Sequence, residues 1–327
     1  MTRKLKAGDD IVLAYRNLFV NRLAFTVQSP APHPESGRHY YYRPKTRDQK
    51  DQSVPLSLDT IRRHLEGDMT IGLYAINPKT QRCRWVAIDA DYENALEDLL
   101  KLQWELRQDG VDAALEKSRR GGHLWIFAQK PLLARDCRVY IYNLAVRLKV
   151  PVKGAGLADG IEVFPKQDKL SADEFGNALR APLGIHQANK KRYWFYAADY
   201  SFEEQMSYLM RLKKISEAEM SAFVSGLEMP PEFAPPKIAV ATVRPPANGN
   251  YREFRILDYV SVRRKMARNY WTRCPSCAQQ GRDKSGDNLA ISIADPRKYK
   301  CWAGCTREMI RMAVGRPVQR SAARQSL

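Results

Sequence analysis

Two aspartates close an apolar segment in the first third of the chain. Residues 85–91 read WVAIDAD, a pattern that predicts a buried strand with Asp89 and Asp91 at its carboxyl edge. Side chains two residues apart in a strand share a face, so the two carboxylates can offer oxygens to one hard cation. Taken alone, such a pair is more often structural or merely solvated.

Two later segments place polar side chains on apolar strands. In residues 118–127, SRRGGHLWIF, the Gly-Gly turn allows close approach to a ligand, and His123 opens a strand from which its ring can hydrogen-bond a phosphate. A buried histidine that caps the strand fits the same letters. In residues 161–166, IEVFPK, Glu162 points away from its apolar neighbours. A carboxylate in an apolar strand is destabilising unless it is paired or metal-bound, so Glu162 needs a partner, and a metal ion would serve.

Four cysteines in two close pairs predict a zinc site. Cys274 and Cys277 form a Cys-x-x-Cys pair, and Cys301 and Cys305 follow as Cys-x-x-x-Cys. Two such pairs supply the four thiolates that a tetrahedral zinc ion needs. Disulfides are disfavoured because nothing in the sequence predicts export; four unlinked thiols remain the alternative. Two isolated cysteines, at positions 83 and 137, are interpreted as core residues.

The charge balance points to a polyanionic partner. The 327 residues include 54 Lys and Arg against 36 Asp and Glu, a formal net charge of +18. Residues 237–327 hold 19 of those cations and 6 of the acids, so they carry +13 of the +18. A basic field attracts nucleic acid and gives each phosphate contact a counterion-release contribution. A basic surface kept only for solubility is the alternative, but the concentration of charge at one end favours binding.

Alternating strands and helices must position these groups. Apolar runs predict strands at 71–76, 84–90, 113–117, 123–128 and 161–164, and apolar periodicity predicts helices at 58–65, 93–108, 134–148 and 201–226. Residues 30–53 are interpreted as a loop or irregular hairpin, and 252–268 as a helical stretch.

The organisation of the chain follows from these elements. We expect an N-terminal α/β part at 1–75, a core at 76–200, a helical segment at 201–227, a proline-rich linker at 228–250 and a zinc-binding domain at 251–327. No run of about 18 apolar residues appears, and the first residues lack the apolar stretch of a secretory signal. We therefore expect a cytoplasmic protein that does not bind membranes.

The order of these motifs resembles the archaeo-eukaryotic primase superfamily. Asp-x-Asp, then small-x-His on a strand, then an apolar residue followed by an acid occur in that order. Further blocks, among them YRNLF, GGHLWIF and EVFPKQD, resemble the primase-polymerase domain of TOTE conflict systems, and CRISPR-associated primase-polymerases are similar. The resemblance covers residues 10 to 200. It implies an α+β fold with an RRM-like catalytic core.

The resemblance also implies roles for individual residues. Asp89, Asp91 and Glu162 would hold two divalent ions, Mg²⁺ or Mn²⁺, one activating the primer 3′-hydroxyl and the other holding the incoming triphosphate. Glu162 stands where many relatives have Asp, which leaves the choice of metal open. The late segment RAPLGIH resembles the family's Arg-x-Pro segment. The residues expected to bind the nucleotide are His123, Ser118, Arg180, Lys166 and His186.

The cysteine module resembles the zinc-binding domain of bacterial and phage primases over residues 271–315. Cys277 stands where many relatives use His, which is an acceptable exchange of ligand. The resemblance implies a zinc-ribbon-like module with one structural Zn²⁺. Trp302 and Tyr299, with the basic residues around them, are expected to be exposed and to stack on single-stranded template.

The leading hypothesis is a DNA primase-polymerase that makes primers and extends strands. Its partners would be single-stranded DNA template, primer and NTP or dNTP substrates, with a helicase or other replication or defence proteins as further candidates. A metal-dependent nuclease could use the same acids, although it has no need of groups that bind a triphosphate. The third hypothesis is a plasmid or phage origin-binding protein whose primase fold has lost activity.

Overall fold

The computed structural model describes residues 5–45, 54–154, 157, 159–172, 174–233, 254–266, 268–280, 283 and 286–316. The chain divides into two compact units. The first contains residues 1–152 and 159–230, and the second contains 153–158 and 231–327. Most of the predicted linker, residues 234–250, lies outside the described residues.

The first unit holds six helices and ten strands among its described residues. The helices are α1 (Asp9–Phe19), α2 (Leu58–Glu66), α3 (Ala95–Gln108), α4 (Ala134–Arg147), α5 (Phe202–Arg211) and α6 (Glu217–Phe223). The strands are β1 (Phe25–Gln28), β2 (Tyr41–Tyr42), β3 (Ile71–Tyr74), β4 (Arg82–Ala90), β5 (Ala114–Lys117), β6 (Gly122–Leu133), β7 (Glu162–Phe164), β8 (Ala178–Arg180), β9 (Ile185–His186) and β10 (Lys191–Arg192). The predicted α+β class is confirmed.

Two antiparallel sheets form the frame of this unit. The main sheet has the strand order β5-β6-β4-β7, and the second sheet has the order β2-β1-β3-β8. Strands β9 and β10 form a separate pair. Strand β4, the one that ends near the two aspartates, is central because it pairs with both β6 and β7.

A large apolar cluster joins the two sheets. Alternating residues of β4 and β6, such as Trp85 and Trp125, face this cluster, as do Ile71 and Leu73 of the second sheet. Phe19 of α1 packs edge-on against Trp125, with ring centroids 5.4 Å apart. The opposite face of the main sheet is covered by α3 and α4. Both faces of the central strands are therefore buried, which explains why β4 is nearly continuous in apolar residues.

The segment predicted to be helical at 201–226 contains two helices, α5 and α6, with a break between Arg211 and Glu217. Ser201 caps α5 by accepting a hydrogen bond from the amide of Glu204. Ser216 then starts α6 through a capping box, in which its hydroxyl and the carboxylate of Glu219 each accept from the other's backbone amide. A capping box is a strong start signal, so it ends any continuous helical register.

In its described residues, the second unit contains a small antiparallel sheet and two short α-helices. A 3-10 turn (Ile256–Asp258) precedes β11 (Val262–Lys265), β12 (Asn269–Thr272), α7 (Pro275–Gln279), β13 (Leu289–Ser292), β14 (Tyr299–Cys301) and α8 (Arg307–Ala313). The strand order is β11-β12-β13-β14. The predicted helical stretch at 252–268 was therefore wrong. Strand β11 pairs with β12, and this tertiary pairing outweighs the local helical preference of its basic residues.

Across the described ranges, no helix combines the length and the apolar character that crossing a membrane requires.

Candidate active site and metal centre

Antiparallel pairing aligns four ionisable residues in one row across the main sheet. Asp89 of β4 lies opposite His123 of β6 on one side and Glu162 of β7 on the other. His123 in turn lies opposite Glu116 of β5. Directly opposed residues share a face of the sheet, so the four side chains, one from each strand, form a continuous charged row. In order across the sheet, the charged row is Glu116, His123, Asp89 and Glu162.

Asp89 has a carboxylate oxygen that lacks a hydrogen-bond partner. Its Oδ1 atom is buried and accepts no hydrogen bond. The Nε2 atom of His123 lies 3.4 Å from it. Buried polar atoms are nearly always hydrogen-bonded, so this oxygen, which has only the long ion pair with His123, is a position that a further cation fits.

Asp91 lies just beyond β4 and is held by basic and hydroxyl groups. It accepts hydrogen bonds from Arg120 Nη2 at 2.6 Å and from Ser118 Oγ at 3.2 Å. Ser118 Oγ also accepts from the Gly121 amide at 3.1 Å, which closes the turn. A Cβ atom at Gly121 would lie 2.0 Å from the carbonyl oxygen of Ala90. Position 121 therefore requires glycine because the turn packs closely against the end of β4.

Glu162, at the other end of the charged row, is paired with a lysine. Lys166 Nζ donates to Glu162 Oε2 at 2.9 Å. Among the described residues, the only metal-ligand group whose donor atoms all lie within 4.8 Å of one another is the cysteine cluster. The oxygens of Asp89, Asp91 and Glu162 thus do not converge on a single point, because Asp91 and Glu162 each face a cation of the protein.

The charged row contains one carboxylate that the sequence analysis did not single out. Glu116 is fully buried. Its Oε2 accepts from His123 Nδ1 at 2.7 Å and from Trp125 Nε1 at 3.1 Å, and its Oε1 accepts from Arg180 Nη2 at 2.6 Å. The sequence did indicate a role for Glu116. Like Glu162, it is an acid in an apolar strand, and such an acid needs a partner.

These contacts determine the charges of the buried groups. Burial opposes the charged form of His123, but the carboxylates of Glu116 and Asp89 outweigh it and raise the pKa of His123 to about 9. Burial likewise opposes ionisation of Glu116, yet the charges of Arg180 and His123 hold its pKa below the ordinary value. Glu116, His123 and Arg180 therefore form an ionised, hydrogen-bonded network at neutral pH.

Two predicted residues come from outside the main sheet. Arg180 ends β8 of the second sheet and reaches the charged row through Glu116. His186 of β9 has its Nε2 3.5 Å from Gln28 Nε2, and its Nδ1 accepts from the Ala188 amide at 3.1 Å. Burial and the charge of Arg180 lower the pKa of His186 to about 4. The structure thus brings Ser118, His123, Lys166 and Arg180 into contact with acids of the site, whereas His186 is a neutral group on the separate β9-β10 pair.

The four cysteines of the second unit meet at one point. Cys274, Cys277, Cys301 and Cys305 are all buried, and their sulfur atoms lie within 4.8 Å of one another. Cys277 Sγ lies 3.5 Å from Cys301 Sγ and 3.3 Å from Cys305 Sγ. A tetrahedral zinc ion with Zn–S bonds of about 2.3 Å separates its sulfurs by about 3.8 Å. The cluster therefore has the size and the donor set of a four-thiolate zinc site.

Local turns present these sulfurs. Cys274 is the N-cap of α7, and its amide donates to Asp283 Oδ2 at 2.7 Å. The other oxygen of Asp283, which is buried, accepts from the Gly286 amide at 2.8 Å. Gly304 adopts φ +89°, a left-handed conformation that lets the chain turn back between Cys301 and Cys305. Hydrogen-bonded turns around metal ligands hold the ligands in orientation.

The opposite face of the second unit's sheet carries exposed aromatic and basic groups. Strand pairing places Arg264, Trp271, Ala290 and Lys300 in a row. Trp302 stacks on Trp271, with ring centroids 6.1 Å apart and planes 15° apart. We call these five residues the aromatic face.

Tyr299 does not belong to the aromatic face, and the prediction that it is exposed there was wrong. It lies opposite the fully buried Ile291 and packs against the cluster that contains the cysteines. Successive residues of a strand point to opposite faces, so Tyr299 is half-buried against the core cluster while Lys300 on the other face is exposed.

The comparisons with known proteins are as follows. The model of the family described as "TOTE conflict system, Archaeo-Eukaryotic Primase domain" matches residues 29–223, more than half of the chain. No curated protein sequence matches the chain significantly. The polymerase domain of Mycobacterium tuberculosis Ligase D in complex with DNA is similar over 67% of this chain and 87% of that chain, with 12% identity and a TM-score of 0.38. The catalytic domain of primase RepB′ in complex with initiator DNA is similar over 67% of this chain and 92% of that chain, with 8% identity and a TM-score of 0.34.

Proposed function

The chain belongs to the archaeo-eukaryotic primase family of TOTE conflict systems, and from that premise we propose that it is a template-directed nucleotidyl transferase that synthesises primers and extends DNA strands. The observation that carries the proposal is the charged row. It sets Asp89 directly between His123 and Glu162, and Glu116 joins Arg180 to the same site. Acids for cations beside cationic groups for a triphosphate are what nucleotidyl transfer needs, whereas a nuclease needs only the acids.

Asp89, Asp91 and Glu162 would hold two divalent cations, Mg²⁺ or Mn²⁺. The donor chemistry fits, because carboxylate oxygens suit hard cations and the buried Asp89 Oδ1 accepts no hydrogen bond, with only His123 Nε2 at 3.4 Å beside it. Bound cations of this kind stabilise the attacking and leaving oxygens of an in-line displacement at phosphorus. Asp91 and Glu162 would exchange their bonds to Arg120 and Lys166 for bonds to cations.

The other side chains of the site bind and orient the nucleotide. His123 presents Nε2 at the Asp89 side of the charged row, where a positive imidazolium can hydrogen-bond a phosphate oxygen. Arg180 adds a permanent positive charge whose position is held by Glu116. Both groups are held by hydrogen bonds before substrate arrives, so little reorganisation accompanies binding.

The second unit would bind the single-stranded template. Its four cysteines would hold one structural Zn²⁺, which stabilises a domain too small to fold on its apolar core alone. Trp271 and Trp302 offer flat surfaces for bases, and Arg264 and Lys300 lie over those rings at 5.8 and 5.3 Å. Aromatic platforms flanked by cations bind single strands with little sequence preference.

The direct test is synthesis by the purified full chain on single-stranded template with Mn²⁺ and labelled nucleotides, with and without a primer. We expect extension by the wild type and a loss of at least about 1,000-fold, or about 4 kcal/mol of transition-state stabilisation, in Asp89→Asn. The matched control is Asp109→Asn, which removes a carboxylate that accepts a hydrogen bond from Tyr140 at 2.8 Å. Wild-type rates in Asp89→Asn would overturn the assignment of the acids, and degradation of the primer without extension would establish the nuclease.

A further inference from the structure

We propose that Glu116 is a positioning residue, which orients His123 and Arg180 together so that both meet the triphosphate of the incoming nucleotide. The inference rests on the proposed function of the site. Glu116 is separate from the metal-binding acids, since both of its oxygens are occupied by donors of the protein and its side chain is fully buried.

The contact with His123 determines which nitrogen faces the site. A carboxylate only accepts hydrogen bonds, so the Nδ1 atom of His123, 2.7 Å from Glu116 Oε2, must carry the proton of that bond. Trp125 Nε1 donates to the same oxygen at 3.1 Å and holds the carboxylate in place. The Nε2 atom is therefore the one turned toward Asp89 and the site. A histidine whose second nitrogen is bound to a carboxylate is held in one orientation.

The contact with Arg180 extends this control to the second sheet. Arg180 comes from β8, whereas Glu116 and His123 come from β5 and β6 of the main sheet. The 2.6 Å bond between Arg180 Nη2 and Glu116 Oε1 crosses from one sheet to the other. One carboxylate thus determines the spacing between two cationic groups whose strands are not hydrogen-bonded neighbours.

Charge explains why both cations need this partner. Arg180 is almost fully buried, with 9% of its side chain exposed, and His123 is buried beside the same carboxylate. Two buried positive groups repel each other and lack solvation unless a negative charge lies between them. An amide at this position keeps the shape of the side chain but has no charge, and its NH₂ group faces a donor on one side. We therefore expect Glu116→Gln to misplace His123 or Arg180 while the sheet remains intact.

The first experiment is steady-state extension by the full chain carrying Glu116→Gln. We expect the KM for nucleotide to rise about 10-fold or more, with the Kd for template changed by less than about 2-fold. The matched control is Glu66→Gln, another buried carboxylate of the first unit, which accepts from Lys6 Nζ at 3.2 Å outside the site. The control should leave the KM unchanged. Equal changes in the KM of both variants, or parallel losses of nucleotide and template binding, would show that Glu116 is only structural.

A double-mutant cycle tests whether Glu116 acts through His123. In a His123→Ala background, Glu116→Gln should raise the KM by a clearly smaller factor than in the wild type, because one of the two groups it positions is gone. If the two factors multiply in full, Glu116 does not act through the histidine and this part of the proposal is wrong.

A spectroscopic measurement needs no turnover and leaves Glu116 unchanged. In wild-type protein labelled with ¹⁵N-histidine, the His123 signal, identified by its loss in His123→Ala, should show a protonated, strongly hydrogen-bonded Nδ1. An Nδ1 without a proton would overturn the proposed orientation even in an active enzyme. Conversely, the expected signal in a protein that does not extend primers would contradict the proposed function and leave the orientation standing.

Discussion

The charged row and the cysteine cluster are two sites built by opposite means. The charged row takes one residue from each of four strands, over a span from Glu116 to Glu162 that is closed only by strand pairing. The cysteine cluster takes two residues from each of two short turns. The first site therefore depends on the register of a whole sheet, and the second on local geometry and, we propose, on a metal. Substitutions in the two sites should therefore have different structural consequences.

The two units also differ in how they display charge. In the first unit, cations and acids are interleaved and largely buried, as in the Arg180, Glu116 and His123 chain. In the second unit, Arg264 and Lys300 lie on an exposed face beside two tryptophans. Buried, paired charges suit the positioning of a small reactive ligand, and exposed cations with aromatic rings suit a long flexible polyanion. We expect catalysis and template capture to be separable for this reason.

The largest effect that would sharpen this contrast comes from loss of zinc. Cys301→Ser should release the metal and unfold the small module, because such domains fold only with their metal bound. We expect primer initiation to fall by about 100-fold or more, while extension of a preannealed primer changes by less than about 3-fold. Initiation is the more sensitive step because two nucleotides and the template must be held at once.

The zinc content of each protein is measured in parallel at fixed salt, so that a loss of initiation can be compared directly with a loss of metal. Cys83→Ala, at a buried cysteine of the first unit outside the cluster, is the control and should retain zinc and initiation. Initiation and extension falling by the same factor, or wild-type protein without zinc, would contradict the division of labour.

A second difference between the units is the loss of stability at low pH. We expect it in the first unit because that unit contains a buried histidine, His64. His64 Nε2 lies 3.0 Å from the carbonyl oxygen of Pro182, and its Nδ1 accepts from the Ile71 amide at 3.3 Å. Both contacts suit the neutral ring. Burial and the charges of Arg180 and Arg192 lower the pKa of His64 to about 4. Tyr15, whose ring lies 6.0 Å away, stays neutral because burial raises its pKa.

The sign of the effect follows from linkage. The folded-state pKa lies below the unfolded-state value of about 6.5, so the folded state binds fewer protons, and stability is lost as the pH falls from 6.5 toward 4. Between pH 7.5 and pH 5, His64 should remove about 2 kcal/mol from the free energy of unfolding. Urea unfolding of the wild type and of His64→Gln should show this loss only in the wild type. His123, whose pKa is raised, and His186, whose pKa is also lowered to about 4, titrate in both proteins, so their contributions cancel in the comparison. A variant with the same pH dependence as the wild type would contradict the role of His64.

The sequence predicted well what local spacing encodes. The cysteine pairs, the strand that ends at Asp89, and the strand positions of His123 and Glu162 all follow from periodicity and short motifs. Glu116 was missed because its partners lie on other strands: His123 and Trp125 face it only through the pairing of β5 with β6, and Arg180 is 64 residues away along the chain. The ion pairs of Arg120 with Asp91 and of Lys166 with Glu162 could not be predicted, because the sequence does not show which acid a basic residue will contact.

The errors have a common physical origin. Residues 252–268 have helical preferences, but β11 gains a pairing partner in β12, and tertiary pairing outweighs a weak local propensity. Tyr299 and Trp302 are both aromatic residues in a basic segment. Only the structure shows that Tyr299 of β14 packs against the core cluster, whereas Trp302, just after the strand, is exposed. Face and register are collective properties of a sheet, so single letters do not determine them.

The smallest effect tests whether the aromatic face is a template platform. Trp302 is 61% exposed and stacks on Trp271, so its removal deletes a base-stacking surface and leaves the core intact. Trp302→Ala should weaken single-stranded DNA binding about 10-fold, or about 1.4 kcal/mol, with an unchanged salt dependence because the cations remain. Lys300→Ala should instead reduce the slope of log K against log salt by about 0.7.

The matched control for this test is Trp104→Ala, which removes a tryptophan that is 66% exposed on α3 of the first unit. If exposed aromatic area alone attracted DNA, the two tryptophan variants would lose affinity equally. That result would contradict the proposal that the second unit binds the template. If instead only Trp302→Ala weakens binding, and duplex DNA of the same length shows a much smaller change, the grip on template belongs to the aromatic face, because only unpaired bases expose their flat surfaces to a side chain. Fluorescence anisotropy at several salt concentrations separates these outcomes.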